Sequence, residues 1–180
     1  MKFSTVQVKW PVLFCLRINL SHIQVTLLNY NNLVINFKGV FIMNVQVRYL
    51  SKSGNTKKVA EAIAEEVGVK AESINKGISE DTDILFLGGA VYWAGVDNEL
   101  KKFILGLDNK VKKVAVFSTA AITKSAYGEI RKLLKDKNID VIESEFHCRG
   151  EFLKLHKDRP NASDLKLAKQ FAKEITKGIS

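Results

Sequence analysis

Between Leu50 and Lys57 the chain reads Ser51-Lys52-Ser53-Gly54-Asn55-Thr56, which is four hydroxyl or amide side chains, one cation and one glycine in six residues. Such a composition suits a phosphate monoester. Hydroxyls and amides donate hydrogen bonds, and the glycine lets the backbone approach closely. A helix beginning here would add unpaired first-turn amides and a partial positive charge. Neither G-x-x-x-x-G-K-[ST] nor G-x-G-x-x-G is present, so the nucleotide loops built on those patterns are excluded. A phospho-accepting receiver site is excluded as well: it would need acids at the ends of the first and third strands, where Leu50-Ser51 and Gly88-Gly89 stand. The same six residues also meet the plainer needs of a polar, well-capped turn, and spacing alone leaves that reading open.

Three further segments could contribute chemistry. Gly88-Gly89-Ala90-Val91-Tyr92-Trp93-Ala94-Gly95 sets two adjacent aromatics between glycines, and one of them can stack on a planar ring while the other lids a sheet edge. Ser118-Thr119-Ala120-Ala121-Ile122 is a run of mostly small residues through which backbone amides can reach a ligand. His147-Cys148-Arg149 begins a long polar stretch that also holds His156, Arg159, Pro160 and Asn161. No further histidine or acid completes a ligand spacing there, so a metal site is not expected and Cys148 reads first as a buried or half-buried thiol.

These segments must be positioned by the elements between them. Short β-branched runs at Val45–Leu50, Ala71–Ile74, Ile84–Gly88, Lys113–Ser118 and Val141–Phe146 predict five strands. Amphipathic stretches predict helices over Thr56–Val67, Asp97–Leu107, Ser125–Lys135 and Ser163–Lys177, with Asn55, Asp97, Ser125 and Ser163 as caps. Asn75–Thr82 leaves room for one or two helical turns at most. Alternating strands and helices imply an α/β fold with a five-stranded parallel sheet, doubly wound by right-handed crossovers into a three-layer sandwich. Ligands in such folds sit at the carboxyl ends of the strands, which brings residues 51–55, 89–96, 119–124 and 147–161 to one edge.

Ser51, Ser53, Gly54 and Thr56 match [ST]-x-[ST]-G-x-T directly after the first strand, and the chain from Met43 to Ser180 resembles the flavodoxin family over essentially its whole length. Asp83-Ile84-Leu85-Phe86-Leu87-Gly88-Gly89-Ala90-Val91-Tyr92-Trp93-Ala94-Gly95 is similar to the third-strand segment of the bacterial short-chain members. The resemblance implies a flavodoxin-like sandwich with bound FMN, its phosphate in the loop from Ser51 to Thr56. It also implies a ring enclosed by residues from Ala90 to Gly95 and from Ser118 to Ala120, with Gly95 as a hinge. Cys148 and Arg149 would approach the flavin or a substrate. A stacked electron-rich aromatic disfavours the anionic, fully reduced flavin and so lowers its potential. Three functions follow: an electron carrier serving a reductase and an electron acceptor, an FMN-dependent oxidoreductase acting on a quinone or porphyrinogen, or a flavodoxin-like module without redox function. No catalytic side chain stands out. Bound flavin in the purified protein would remove the third.

At 180 residues, with 46% hydrophobic and 26% charged, the chain has the makings of a folded core, which excludes a collagen, a disordered tail or a disulfide-stapled miniprotein. Only two cysteines, Cys15 and Cys148, indicate a reducing, cytoplasmic setting. The net charge of +9 is unevenly placed. Four basic residues and no acid precede Met43, so the remaining 24 basic residues face all 19 acids and the net charge from Met43 onward is +5. Segment 1–42 has no cleavage site and no membrane-length apolar run, and Met43 opens a self-sufficient pattern. Lys38-Gly39-Val40 can be encoded by a ribosome-binding sequence, which makes residues 1–42 an expected upstream extension and 43–180 the FMN-binding domain; an intact mass near 20.2 kDa for the native protein would refute this. The lysines are scattered over every predicted helix, so nucleic acid and membrane are not expected partners, and a monomer or homodimer is.

Overall fold

The computed structural model describes residues 43–92, 95–122, 125–135, 137–153 and 155–178, without the side chain of Tyr92. The expectations for residues 1–42, for Trp93 and Ala94, and for the Tyr92 ring therefore fall outside the described residues.

Strand β1 (Val45–Leu50) leads into helix α1 (Asn55–Val67), then β2 (Ala71–Ser73) and a single 3₁₀ turn at Ile74–Lys76. Next come β3 (Thr82–Tyr92), the short β4 (Gly95–Val96), α2 (Asn98–Leu105), β5 (Val111–Ala120) and α3 (Tyr127–Leu134). The chain closes with β6 (Asp140–Val141), β7 (Phe146–Arg149) and α4 (Ala162–Lys177). The sheet order is β2-β1-β3-β5-β6, with β7 also pairing β5, and every pairing is parallel except that of β4 with β3. The order reverses at β1 and β3, the two strands whose carboxyl ends flank the first loop.

Central strands buried on both faces carry unbroken apolar runs, and β3 shows why. Ile84 and Phe86 join Val47, Phe117 and Phe146 beneath α1 and α4, while Leu85 and Leu87 join Val114 and Val116 beneath α2 and α3. On the first face Phe171 stands edge-on to Phe86, with ring centres 6.0 Å apart, and 6.1 Å from Phe146. On the second, Leu100, Ile104, Ile130 and Leu134 are fully buried or nearly so. Each such side chain contributes roughly 1.5–3 kcal/mol of transfer free energy, so the two layers hold the sheet edge that carries the loops.

Several boundaries differ from the sequence reading. The predicted fifth strand, Val141–Phe146, is two strands: β6 pairs with the early part of β5 and β7 with its end, and exposed Glu143, Ser144 and Glu145 lie between them. β3 and β5 also run further than predicted, to Tyr92 and Ala120. What was expected to be one open loop over Gly89–Val96 is the continuation of β3 folded back as the antiparallel β4. Gly88 and Gly89 are packing glycines: a Cβ on Gly88 would lie 2.1 Å from the Phe117 ring, and one on Gly89 would lie 2.3 Å from Leu100.

The helix starts differ too. Gly54, at φ +88°, is the cap of α1 in place of Asn55. Asn161 caps α4 in place of Ser163, in a reciprocal box with Asp164. Ser125 stands one residue before the α3 cap and accepts a hydrogen bond from the Tyr127 amide. Asp97 caps α2 as expected, through the Glu99 amide.

Candidate functional site

All four helices start at the carboxyl edge of the sheet, and their unpaired first-turn amides must be satisfied by something. Asp97 serves α2 with Glu99 in its first turn; Ser118, Ser125 and Glu129 serve α3; Asn161 and Asp164 serve α4. Helix α1 has no side-chain cap and no acid in its first turn. Gly54 makes this possible by adopting a left-handed conformation that turns the chain straight from β1 into the helix.

The start of α1 borders a cleft whose lining comes from four segments. Ser53 and Asn55 come from the first loop, and Ala90 and Val91 from the end of β3. Thr119 and Ala120 come from the end of β5 and Ala121 and Ile122 from the turn after it, and Gly150, Glu151 and Phe152 follow β7. The wall is mainly apolar, with donors at the α1 end.

Within the first loop each side chain has a distinct position. The Ser51 hydroxyl accepts from the Gly54 amide at 3.1 Å and so shapes the turn. Lys52 donates to Asp97 at 2.5 Å and ties the loop to the cap of α2. That bond, followed by the one from the Glu99 amide, holds the Asp97 carboxyl below its usual range despite opposing desolvation. Ser53 is exposed on the cleft wall. Asn55 is buried and donates to the Glu151 carbonyl at 2.8 Å, which joins the first loop to the last. The buried Thr56 hydroxyl lies 2.9 Å from the buried Thr119 hydroxyl, each serving the other.

Other residues singled out in the sequence lie away from the cleft lining. Ser118 is fully buried; its hydroxyl meets His147 Nδ1 at 3.0 Å and receives the Ala126 amide at 3.4 Å, so it fastens the start of α3 to the sheet. Burial lowers the His147 pKa and outweighs the nearby Glu145 carboxylate. Cys148 packs among Phe146, Phe171 and their neighbours, and burial pushes its thiol up to about 12, with Asp164 acting in the same direction and Arg159 against it. Gly95 sits at φ +93° in β4, where a Cβ would lie 2.6 Å from Glu129 Oε2. That carboxylate accepts from the Val96 amide at 2.7 Å and pairs with Lys101 at 2.7 Å. Burial raises the Glu129 pKa, but these bonds prevail and hold it below the ordinary value.

The sequence reading did not assign Gly150, Glu151 or Phe152 to the ligand. Gly150 is the legible one in retrospect, because a Cβ there would lie 2.9 Å from Asn55 Nδ2. Phe152 offers a weaker signal, an aromatic within a run of charged residues. Among the described residues no group of His, Cys, Asp and Glu could hold a metal ion, and no helix is long and apolar enough to cross a membrane.

A sequence profile of the flavodoxin domain matches residues 46–158, from β1 through the loop after β7. The chain belongs to the flavodoxin domain family. An uncharacterised protein of Methanocaldococcus jannaschii is 33% identical over 137 residues, covering 68% of this chain and 91% of that protein. A flavodoxin-like domain-containing protein of Clostridioides difficile is 36% identical over 124 residues, covering 61% of this chain and 67% of its own length. Among solved structures, a flavodoxin from the domain Archaea superposes with a TM-score of 0.63 at 20% identity, covering 76% of this chain and 99% of its own. Flavodoxin 1 of Bacillus cereus gives 0.60 at 18% identity, with coverage of 76% and 99%. These structural likenesses establish the flavodoxin-like α/β fold, and the family is one whose members typically bind flavin.

Proposed function

We propose that residues 43–180 form an FMN-binding electron carrier that takes electrons from a reductase and passes them to an acceptor protein. The observation that carries this reading is the uncapped start of α1 at the rim of a mainly apolar cleft. Free amides and the positive end of a helix match the charge and acceptor oxygens of a phosphate monoester, with Ser53 and Thr56 the nearest hydroxyls. Ala90, Val91, Ala120, Ala121 and Ile122 provide the small and apolar lining that a flat heterocycle requires. When bound, FMN supplies one- and two-electron chemistry that no side chain here offers. The chain's part is to hold the phosphate, fix the edge of the ring and limit water.

Comparison of FMN with riboflavin tests the phosphate cradle, since the two share a ring and differ in the phosphate. FMN should bind the flavin-free protein at least about tenfold more tightly, the least expected from one charge-assisted bond of 1.5–3 kcal/mol. Equal affinity would refute the assignment of the first loop. A second reading, an FMN-dependent oxidoreductase, draws support from the open mouth between Ile122 and Phe152, beside which a small planar substrate can pack. Sustained turnover of a quinone at the expense of a pyridine nucleotide would favour it over the carrier, which should accumulate the one-electron-reduced flavin on stepwise photoreduction.

A further inference from the structure

Strand β3 outruns its neighbours. Its ladder with β1 ends at Leu50–Gly89 and its ladder with β5 at Thr119–Ala90. The next pair outward, Val91 with Val96, belongs to the antiparallel β4. Val91 is also part of the cleft wall. A strand of two residues therefore backs the stretch of wall that projects beyond the parallel ladders. So short a strand is poorly fixed by its own pairing and has an outer edge to satisfy. Helix α3 supplies the partner: Glu129, 33 residues along the chain, accepts from the Val96 amide through Oε2 at 2.7 Å. The fit includes the residue before. Gly95 holds φ at +93°, and a Cβ there would lie 2.6 Å from that same oxygen, so glycine lets the carboxylate reach the amide. On the following residue, Asp97 is held by Lys52 of the first loop at 2.5 Å.

The other carboxylate oxygen pairs with Lys101 of α2, but the two side chains are 34% and 30% exposed, and a pair so open to water contributes little. The bond from a backbone amide to a charged acceptor is the stronger tie. We propose that Glu129 is a positioning residue for the ring end of the cleft: by holding the Val96 amide it keeps β4, and with it Val91, against the bound ring. The inference rests on the flavin reading. Glu129 stands outside the cleft lining and acts through β4. Two consequences separate this role from that of the phosphate loop. A wall that closes on the ring serves flavins with and without a phosphate alike. It also limits water, which favours the anionic reduced flavin over the neutral oxidised one, so a loosened wall raises the potential.

Glu129→Ala in the full chain tests this through titration with FMN and riboflavin, the flavin midpoint potential, and exchange of the Val96 amide in the flavin-free protein. The variant should bind both flavins about tenfold more weakly, as loss of one charge-assisted bond predicts. Its two-electron midpoint potential should rise, by about 30 mV for each tenfold by which the reduced flavin keeps its affinity better than the oxidised one. The Val96 amide should exchange faster than in the parent. Glu129→Gln retains an acceptor for that amide and should stay within about threefold of the parent on each flavin. Lys101→Met leaves the Val96 bond in place and should stay within about twofold. Parent affinities and potential in Glu129→Ala would overturn the proposal. So would a loss confined to FMN, which would put the effect at the phosphate, or a loss in Lys101→Met equal to that in Glu129→Ala, which would make the ion pair its cause. A parent that binds neither flavin would refute the flavin reading, and this proposal with it, before any variant was compared.

Discussion

The buried pair Thr56–Thr119 allows the candidate site to be dissected by a double-mutant cycle. Both residues are at most 2% exposed and their hydroxyls are 2.9 Å apart, one at the second position of α1 and the other near the end of β5. Thr56→Val preserves shape, removes one hydroxyl and leaves the other buried without this partner. Such an orphan costs about 1–3 kcal/mol, whereas replacing both partners by apolar isosteres is close to neutral. We therefore expect each single valine variant to lose about 1–2 kcal/mol in urea unfolding of the flavin-free protein, and the double variant to be close to neutral, so that it loses less than the two together by about 2–4 kcal/mol. For a domain of this size that is a fall of about 2–8 °C in melting temperature for each single variant. FMN affinity supplies the second readout: Thr56→Val should weaken FMN binding more than riboflavin binding, while Thr119→Val should weaken both alike. Additivity within about 0.5 kcal/mol would mean that the two hydroxyls are not coupled, and the local account would fail. Equal losses for FMN and riboflavin on Thr56→Val would detach Thr56 from the phosphate.

Gly54 is at φ +88° with nothing within 4 Å of an added Cβ, so Gly54→Ala isolates the backbone term; it should destabilise by about 1–2 kcal/mol in urea unfolding, with Gly54→Asn intermediate. Gly88→Ala is the opposite case, because its Cβ would lie 2.1 Å from the Phe117 ring; the expected outcome is a loss of at least about 3 kcal/mol or no folded protein by circular dichroism, and a loss below about 1 kcal/mol would disprove the contact. Burial pushes the Cys148 thiol up from its ordinary 9.0 to about 12 in the fold, so between those values the unfolded chain has released a proton that the folded one retains. Stability from this group is complete below pH 9.0 and declines as pH rises toward about 12; the alkaline unfolding curve of Cys148→Val should show a shallower decline than that of the parent, and parallel curves would contradict the burial of the thiol.

Patterns that depend on local sequence were legible without coordinates. Val45–Leu50 is a strand at the predicted residues because Val45, Val47 and Tyr49 alternate with Gln46 and Arg48 and put their apolar side chains on one core face, and all four helices are visible from their apolar stripes. What escaped depends on partners far along the chain. Asn55 has the chemistry of a cap, but its amide is committed to Glu151, 96 residues away, and the adjacent Gly54 takes the cap because it alone tolerates the required φ. The break between β6 and β7 was hidden for a similar reason: Val141–Phe146 has strand-like composition, yet the outer edge of β5 is paired only at Lys113–Val114 and again at Phe117–Ala120. Gly88-Gly89 seemed part of a ligand loop, whereas the bulk of Phe117 and Leu100 is what requires them.

The start of α1 also links stability to ligand. A side-chain cap is worth about 0.5–2 kcal/mol, and α2 and α4 have one through Asp97 and Asn161, whereas α1 does not. Folding alone gains nothing from leaving those amides open, so the fold retains a weakness at the residues that an anion would complete. An anion bound only to the folded chain returns more than a cap would, about 2.7 kcal/mol at a free concentration one hundred times its dissociation constant. The same arrangement reaches the last loop, since Asn55 is both the first residue of α1 and the donor to the Glu151 carbonyl after β7. Occupancy of the phosphate site should therefore steady Gly150 to Leu153 and Leu155. Slower amide exchange at Phe152 and Leu155 on adding FMN, lost in Asn55→Ala at saturating flavin, is the observation this coupling requires.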